Sequence, residues 1–584
     1  MKRREFVVAS ASLAQLALLQ TACRDSMVRC TAPPPVYAHV VDAHCHVFNG
    51  SDLAQERFIK VVLLKHYPRQ AVSVLDIEDE DVLDGFVKLL TRLVGRTRTP
   101  NADAEIQVLD REARPQPGNA DPAQNESLFI DALAGFVGEN GLAVAADEGA
   151  AGLRKVRGAI FRAAGEDGIA VSSAEVEPAA AREVAAKAYR SKYDLGVLLR
   201  WFSLFTRYRY SLAEQLAADL RCQGMDARLL CPATVDFDHW LGQFIEDGPY
   251  QTPLPRQIRV MGRIARRAKG PVVHGYVAFD PLRKAIYDVS REGFDPLELV
   301  RSGIQQEGFI GVKMYPPMGF RAFGNGTAPA QTYPKPAVER LEQAIAQSTA
   351  QADEATRRAG QAIGLGRRLD TALAQLYDYC ASQGVCILAH ANNSNGSGDG
   401  YGARADPAFW LDVFARWPTL PVMLAHFGNF EFVSQAAPPG ATGNERTWEW
   451  TLGRHFRDHP DAPVFADFSY LSEVVHKSPQ ELDAYAATFR AWIAAFDPDC
   501  RHIVFGTDWI MLGVDAGYAD YARSVYAFFR DRVGLGAEPL RRIFELNAGR
   551  FLGLREGDSS RRRLLDFYAA HRLPASRLPV FAAG

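Results

Sequence analysis

Short apolar runs alternate with longer stretches of helical pattern over much of this chain. Each run is bounded by loop residues and has the length of one buried strand. A first run at about residues 38–46 is followed by seven more, at Leu229–Val235, Val272–Phe279, Phe309–Tyr315, Val385–His390, Pro421–His426, Val464–Phe468 and His502–Asp508. Eight buried strands separated by helical segments predict an α/β fold, a (β/α)8 TIM-type barrel rather than an open sheet.

The stretch between the first and second runs has a different pattern. Residues 49–226 carry apolar and aromatic positions at helical spacing, which we interpret as helix core rather than a ligand site. Within them, residues 96–125 are polar and rich in Pro, Asp and Arg, and are predicted to be an exposed loop. We therefore predict a large helical insertion after strand 1. The insertion could cover the C-terminal opening of the barrel and shape the pocket there, or it could serve as an interaction domain.

The same pattern sets the other boundaries. Residues 24–48 are a linker and the first strand, residues 227–550 the rest of the barrel, and residues 551–584 a C-terminal tail. A second excursion, residues 320–368, enlarges the fourth loop.

Residues 1–23 have the pattern of a bacterial export signal. A basic start with Arg3 and Arg4 precedes a short apolar segment and small residues before Cys23. The apolar segment is too short to span a bilayer, which needs about 20 residues. The arginine pair is typical of twin-arginine export, so we expect a periplasmic or envelope-associated protein. Cys23 is a candidate for lipid attachment to the membrane, with plain cleavage as the favoured alternative.

Composition excludes some partners and leaves others open. A formal charge of -3, without basic runs interleaved with aromatics, argues against nucleic-acid binding and favours a small-molecule substrate. The eight cysteines show no C-x-x-C pair and no regular spacing, so no disulfide framework can be argued from the sequence. The oligomeric state does not follow from the sequence.

Polar side chains cluster at the C-terminal ends of the predicted strands, where the active sites of such barrels lie. Two histidines one residue apart, His44 and His46, end the first strand and can present their imidazoles on one face. The other strand-end residues are Lys313 (fourth strand), His390 (fifth), His426 (sixth) and Asp508 (eighth). Histidines with a carboxylate form a typical divalent-metal environment.

These strand ends resemble the amidohydrolase superfamily, and within it the amidohydrolase-2 group related to aminocarboxymuconate semialdehyde decarboxylase. The matching segments are 42–46, 311–313, His390, 425–428 and 506–509, with 280–281 and 467–469 in further agreement. The resemblance covers residues 38–48 and 227–550 and leaves the insertion out. Several motifs in barrel order make it specific.

The resemblance implies one divalent ion, most often zinc, held by His44, His46, His390 and Asp508. The ion would lower the pKa of bound water, and Asp508 would carry the proton to the leaving group. His426 would act as a general acid/base or stabilise an oxyanion.

Two further positions are candidates for substrate binding. Lys313 could be carboxylated and bridge a second metal ion, but we favour one metal with Lys313 facing a substrate anion or packing structurally. Asn392 and Asn393 follow the proposed ligand His390 and could hydrogen-bond a substrate carbonyl or carboxylate. Asp236, Asp238, His274 and Asp280, near strands two and three, are interpreted as structural.

Three functions are compatible with this pattern. The first is a metal-dependent hydrolase acting on an amide, ester or lactone. The second is a non-oxidative decarboxylase using the same ligands. The third, an exported binding protein without catalysis, is disfavoured because every proposed ligand is present.

Overall fold

The computed structural model describes most of the chain. The described residues are 30, 32–53, 57–58, 91, 97, 99–111, 122–139, 182, 194–245, 251–327, 333–349, 364–393, 396–430, 447–515 and 517–581. The proposed export signal and the loop tip after Asn393 lie outside them.

Eight parallel strands follow one another in chain order, and each lies at one of the predicted apolar runs. They are β1 (Ala38–Cys45), β2 (Met225–Pro232), β3 (Tyr276–Ala278), β4 (Gly311–Met314), β5 (Cys386–Ala389), β6 (Val422–Leu424), β7 (Val464–Asp467) and β8 (Ile503–Val504). β1 pairs with β2, and β3 to β8 form a continuous ladder. The strand prediction is confirmed, although β2 begins two residues before the predicted barrel boundary at 227.

Backbone hydrogen bonds join these two sheets at both edges. Between β2 and β3, the Leu230 amide donates to the Val272 carbonyl at 2.9 Å. Between β8 and β1, the Ala43 amide donates to the Phe505 carbonyl and the Thr507 amide to the His44 carbonyl. The eight strands therefore surround a common axis as a (β/α)8 barrel, which confirms the predicted fold class.

The strands are buried on both faces, as parallel strands between an interior and a helical layer must be. One apolar cluster joins interior residues such as Val41, Leu388 and Phe465 with Phe567 and Phe581 of the C-terminal tail. The tail therefore packs as part of the core.

Helices connect and cover the strands. The described α-helices are α1 (Ala102–Asp110), α2 (Pro122–Glu139), α3 (Asp194–Leu204), α4 (Arg209–Cys222), α5 (Asp238–Leu241), α6 (Leu254–Ala265), α7 (Pro281–Ser290), α8 (Pro296–Gln306), α9 (Lys335–Thr349), α10 (Leu365–Gln383), α11 (Leu411–Arg416), α12 (Trp448–Asp458), α13 (Glu473–His476), α14 (Pro479–Phe496), α15 (Tyr521–Ala527), α16 (Ala537–Arg541), α17 (Asn547–Phe551) and α18 (Ser559–Ala570). None of the helices in the described part of the chain has the length and apolarity needed to cross a membrane.

The prediction of an exposed loop over residues 96–125 is wrong in part. Helix α1 begins after Asn101, whose side chain accepts a hydrogen bond from the Ala104 amide as an N-cap. Its Glu105 is fully buried and pairs with Arg209 of α4 at 2.7 Å. A tertiary ion pair therefore holds a segment whose polar composition alone indicates solvent exposure.

The structure contains a disulfide that the cysteine spacing does not indicate. Cys30 and Cys222 form one, although 192 residues separate them in sequence. It ties the segment before β1 to the end of α4, where the Tyr37 amide also donates to the Gly224 carbonyl. Sequence spacing cannot indicate such a pair because only the fold brings it together. Disulfides persist in oxidising compartments, in agreement with the export that remains a prediction.

Candidate metal centre

His44 and His46 lie at the end of β1 with their ring centroids 5.5 Å apart, while Cys45 packs into the core. The Nδ1 atom of His46 donates to the Ala233 carbonyl at 2.9 Å, and the Nδ1 atom of His44 lies 3.0 Å from the Asp467 carboxylate. These acceptors fix the proton of each neutral ring on Nδ1. In the neutral rings each Nε2 atom therefore carries a lone pair that can bind a cation or, at His44, accept from Lys313 Nζ.

Asp508 brings a carboxylate to these nitrogens. Its Oδ1 atom lies 3.3 Å from His46 Nε2 and 3.5 Å from His44 Nε2. It follows β8 in a left-handed conformation (φ 56°), and its amide donates to the His44 carbonyl at 2.7 Å. Gly506 is required for this close approach, because a Cβ there would lie 2.8 Å from the His44 Cβ.

The donor set fits a divalent ion. One ligand atom from each of His44, His46 and Asp508 lies within 4.8 Å of the others, and all three residues are buried. Over the described ranges this is the one such group of three or more His, Cys, Asp or Glu residues. His46 cannot donate from both nitrogens while neutral, so its contact with Asp508 needs a cation or a second proton between the two groups. Two imidazoles and a carboxylate without sulfur suit zinc.

Protonation states agree with this chemistry. Burial and the nearby charge of Lys313 lower the pKa of His44 to about 4, so the ring is neutral at neutral pH. Burial opposes ionisation of Asp508, but its contact with His46 and the charges of the surrounding histidines outweigh burial and lower its pKa to about 2. The site therefore offers a neutral imidazole and an ionised carboxylate, the forms that bind metal.

His390 and His426 form a second pair beside this group. His426 Nδ1 lies 3.1 Å from the Ser469 carbonyl, which can only accept, so the His426 proton is on Nδ1. Its Nε2 atom then accepts from His390 Nδ1 at 3.2 Å. This leaves a lone pair on His390 Nε2, which is buried and has no hydrogen-bond partner among the residues that the structure describes. A buried nitrogen with such a lone pair suits a metal ligand.

The fourth predicted ligand is therefore present but lies outside the tight group. His390 contacts His426 and stacks on Tyr315, with ring centroids 4.4 Å apart. The His426 ring lies 5.2 Å from the His44 ring, next to the proposed metal position. Metal ligation by His390 and acid/base action by His426 stay predictions.

Lys313 reaches the same centre from β4. Its Nζ atom lies 2.9 Å from His44 Nε2 and its side chain is buried. Burial lowers the pKa of Lys313 to about 8, against the opposing charges of Asp508 and Asp467. The predicted substrate contacts from the β5 loop are less defined: Asn392 is half-buried and Asn393 exposed, so their role remains a prediction.

Two residues given no role from the sequence prove central to the hydrogen bonding. Asp467 Oδ1 accepts from the amides of His426 and Ser469 and from the Ser469 hydroxyl, while Oδ2 accepts from His44. The Ser469 hydroxyl also lies 2.9 Å from His44 Nδ1 and 3.0 Å from His426 Nδ1. Asp467 ends β7, so the strand-end rule that identified the ligands could have found it.

The polar residues near β2 and β3 that we interpreted as structural all bond to protein groups, and a structural role for them stays a prediction. Arg283 pairs with both oxygens of Asp236 and with Asp238. Asp280 caps α7 and accepts from the Trp240 indole at 2.7 Å. His274 bonds the Gly308 carbonyl and the Tyr568 hydroxyl.

Comparison with known sequences gives a family match over the part of the barrel that begins in β4. Residues 312–554 match the family described as amidohydrolase. The matched region carries Lys313, His390, His426 and Asp508, while His44 and His46 precede it. The match confirms the resemblance predicted from the strand-end motifs and supports an enzyme of the amidohydrolase superfamily. No curated protein matches the chain.

Solved structures give distant similarity. An amidohydrolase from Burkholderia multivorans with bound zinc is 13% identical, covering 63% of this chain and 94% of its own, with a TM-score of 0.33. A 5-carboxyvanillate decarboxylase from Sphingomonas paucimobilis is 13% identical, covering 57% and 81%, with a TM-score of 0.30. A 4-oxalomesaconate hydratase from Rhodopseudomonas palustris is 14% identical, covering 62% and 84%, with a TM-score of 0.32.

Proposed function

We propose that this protein, whose residues 312–554 match the amidohydrolase family, is a metal-dependent hydrolase that cleaves an amide, ester or lactone bond. The observation that carries the proposal is the convergence of His44 Nε2, His46 Nε2 and the Asp508 carboxylate in a buried group. His390 Nε2, buried without a partner beside them, is the proposed fourth ligand.

In the proposed reaction the metal ion and the side chains have separate roles. A divalent ion, which we propose to be a single zinc, would supply Lewis-acid polarisation and acidify a water molecule. Asp508, ionised at neutral pH, is positioned to accept a proton from the attacking water and deliver it to the leaving nitrogen or oxygen. His426, held at Nδ1 by Ser469, is proposed as a second acid/base or as a partner of the developing oxyanion.

A second activity, non-oxidative decarboxylation, is favoured by one observation. We call His44, His46 and Asp508 the metal group. The buried ammonium of Lys313 lies beside it, where it could hold a substrate carboxylate. In that reaction the carbon–carbon bond to the carboxylate breaks, carbon dioxide leaves, and a proton replaces it on the substrate carbon. The same lysine could instead bind the carbonyl oxygen of a hydrolysed bond.

Metal analysis with ligand variants tests the central proposal. Purified protein should contain about one zinc-like ion per chain, and His44→Ala and Asp508→Asn should lose the ion and about 10³-fold in kcat/KM. His39→Ala is the matched control, because His39 lies on the same strand but its side chain is 56% exposed. Wild-type protein without metal after reconstitution with zinc would refute the proposal.

Two further measurements assign the roles and the reaction. His426→Ala should keep the metal and lose turnover. If it loses the metal while His390→Ala retains it, the roles of the two histidines are exchanged. A panel of amides, esters, lactones and aryl or dienoic carboxylates, with carbon dioxide release measured in parallel, separates hydrolysis from decarboxylation.

A further inference from the structure

Helix α3 and Phe205, the residue after it, contact the segments that follow β8 and β1, the two strands whose ends carry His44, His46 and Asp508. On the β8 side, the Trp201 indole donates to the Ile510 carbonyl at 2.6 Å, two residues beyond Asp508. Trp201 is 1% exposed, so this hydrogen bond is shielded from water. The Asp508 carbonyl in turn accepts from the Leu512 amide, within the same turn of chain.

The packing between α3 and this turn is close. A Cβ on Gly513 would lie 3.0 Å from the Trp201 ring and 3.7 Å from the Leu204 side chain. The turn after Asp508 therefore rests on the side chains of α3, with no room for an added methyl group unless the tryptophan moves.

On the β1 side, a row of aromatic rings leads from α3 to His46. Phe205 follows α3, and its ring centroid is 4.7 Å from that of Trp201 and 5.6 Å from that of Phe48. Phe48 in turn lies 5.7 Å from the His46 ring. The Gly50 amide also donates to the Phe205 carbonyl at 2.7 Å, which fixes the backbone after β1.

We propose that helix α3 is a positioning element of the metal centre, with Trp201 setting the place of Asp508 relative to His46. The inference rests on the proposed function, since it assigns α3 a role in holding metal ligands. Asp508 and His46 follow strands that lie far apart in the sequence, and α3 together with Phe205 contacts the segments after both strands. The insertion is then part of the catalytic unit rather than a separate interaction domain.

A substitution that removes the indole donor tests this role. Trp201→Phe keeps an aromatic ring but removes the N–H that holds the Ile510 carbonyl. It should weaken zinc affinity about tenfold, measured by chelator competition, because groups that orient ligands typically contribute 10–100-fold to metal affinity. The melting temperature of the metal-free protein should change little more than in the control.

The control is Trp410→Phe. Trp410 is fully buried like Trp201, but its indole nitrogen has no hydrogen-bond partner, so the exchange removes no bond. Gly513→Ala provides a second test, because the added methyl group displaces the Trp201 ring, and it should also weaken zinc binding. Should Trp201→Phe fail to fold, Gly513→Ala still decides the question.

The outcomes separate the two proposals. Zinc affinity in Trp201→Phe and Gly513→Ala within twofold of wild type would overturn the positioning role and leave the proposed function intact. Equal loss of affinity in Trp410→Phe would show that the effect is general destabilisation and would also overturn it. Failure of wild-type protein to bind zinc would refute the proposed function, and the positioning role with it.

Discussion

Two buried polar clusters each take a residue from the chain around the end of β1, His46 in the metal group and Asp52 in the Arg209 cluster. They differ in how completely their charged and polar groups are paired. In the first, the Arg209 cluster, the guanidinium bonds Asp52, Glu105 and Ser51. The second carboxylate oxygen of Glu105 accepts from the Tyr210 amide. Every charge there has an opposite charge or a hydrogen-bond partner.

The metal group is the opposite case. Its carboxylate, Asp508, faces two imidazole nitrogens that carry lone pairs when the rings are neutral, and His390 Nε2 has no partner. Both clusters are deeply buried, so burial does not distinguish them. The difference is that Arg209 pairs with both carboxylates of its cluster, whereas the Lys313 ammonium lies against His44 Nε2 and the ion-pair contacts of Asp508 with described residues are to histidines. A buried carboxylate that faces histidines instead of an arginine or lysine partner is the better indication of a binding site.

The largest effect on stability should come from removing the internal cation of the Arg209 cluster. Arg209→Met leaves Asp52 and Glu105 buried without their counter-charge, which should lower the free energy of unfolding by about 3–5 kcal/mol. Urea denaturation measures the change. Arg301→Met is the control, because Arg301 pairs with Glu298 at the surface and such pairs contribute about 0–1 kcal/mol. Equal losses in the two variants would contradict the distinction between the clusters.

A smaller effect, on metal affinity rather than folding, is expected from Asp467. Asp467→Asn replaces one acceptor oxygen by an amide that donates, which opposes the Nδ1 proton of His44. Zinc affinity should fall about 10–100-fold, measured by chelator competition. Asp226→Asn is the control, because Asp226 of β2 also bonds a histidine of β1, but this histidine, His39, is exposed and outside the metal group. An unchanged affinity would mean that Asp467 does not orient His44.

The smallest effect concerns a third buried group, Asp219, whose hydrogen bonds come from the neutral side chains of Tyr518 and Gln215. Burial raises its pKa to about 7, although Tyr518 and Gln215 donate to it. A pKa raised in the folded state favours folding below the unfolded value near 4 and loses that contribution as the pH rises to about 7. Asp219→Asn cannot ionise, so its stability relative to wild type should increase between pH 4 and pH 8.

The expected gain is about 1–2 kcal/mol at pH 8, after allowance for a weaker hydrogen bond from Tyr518. Denaturation midpoints measured across that pH range provide the test. A difference between variant and wild type that stays constant with pH would show that Asp219 is ionised throughout.

The sequence alone determined the strands and most of the metal group. A strand buried on both faces produces a continuous apolar run, and this signal is local, so all eight were predicted within a few residues. Because parallel strands end at one face, the residues at those ends meet there, which brought His44, His46, Lys313 and Asp508 together as expected.

The tertiary structure alone decided the contacts between distant segments. The Cys30–Cys222 disulfide, the Glu105–Arg209 pair and the Trp201–Ile510 hydrogen bond join residues 192, 104 and 309 positions apart. Periodicity carries information over a few turns of chain, whereas these contacts depend on how the closed barrel and its insertion pack. The strand ends could therefore be predicted as ligands, but the groups that orient them could not.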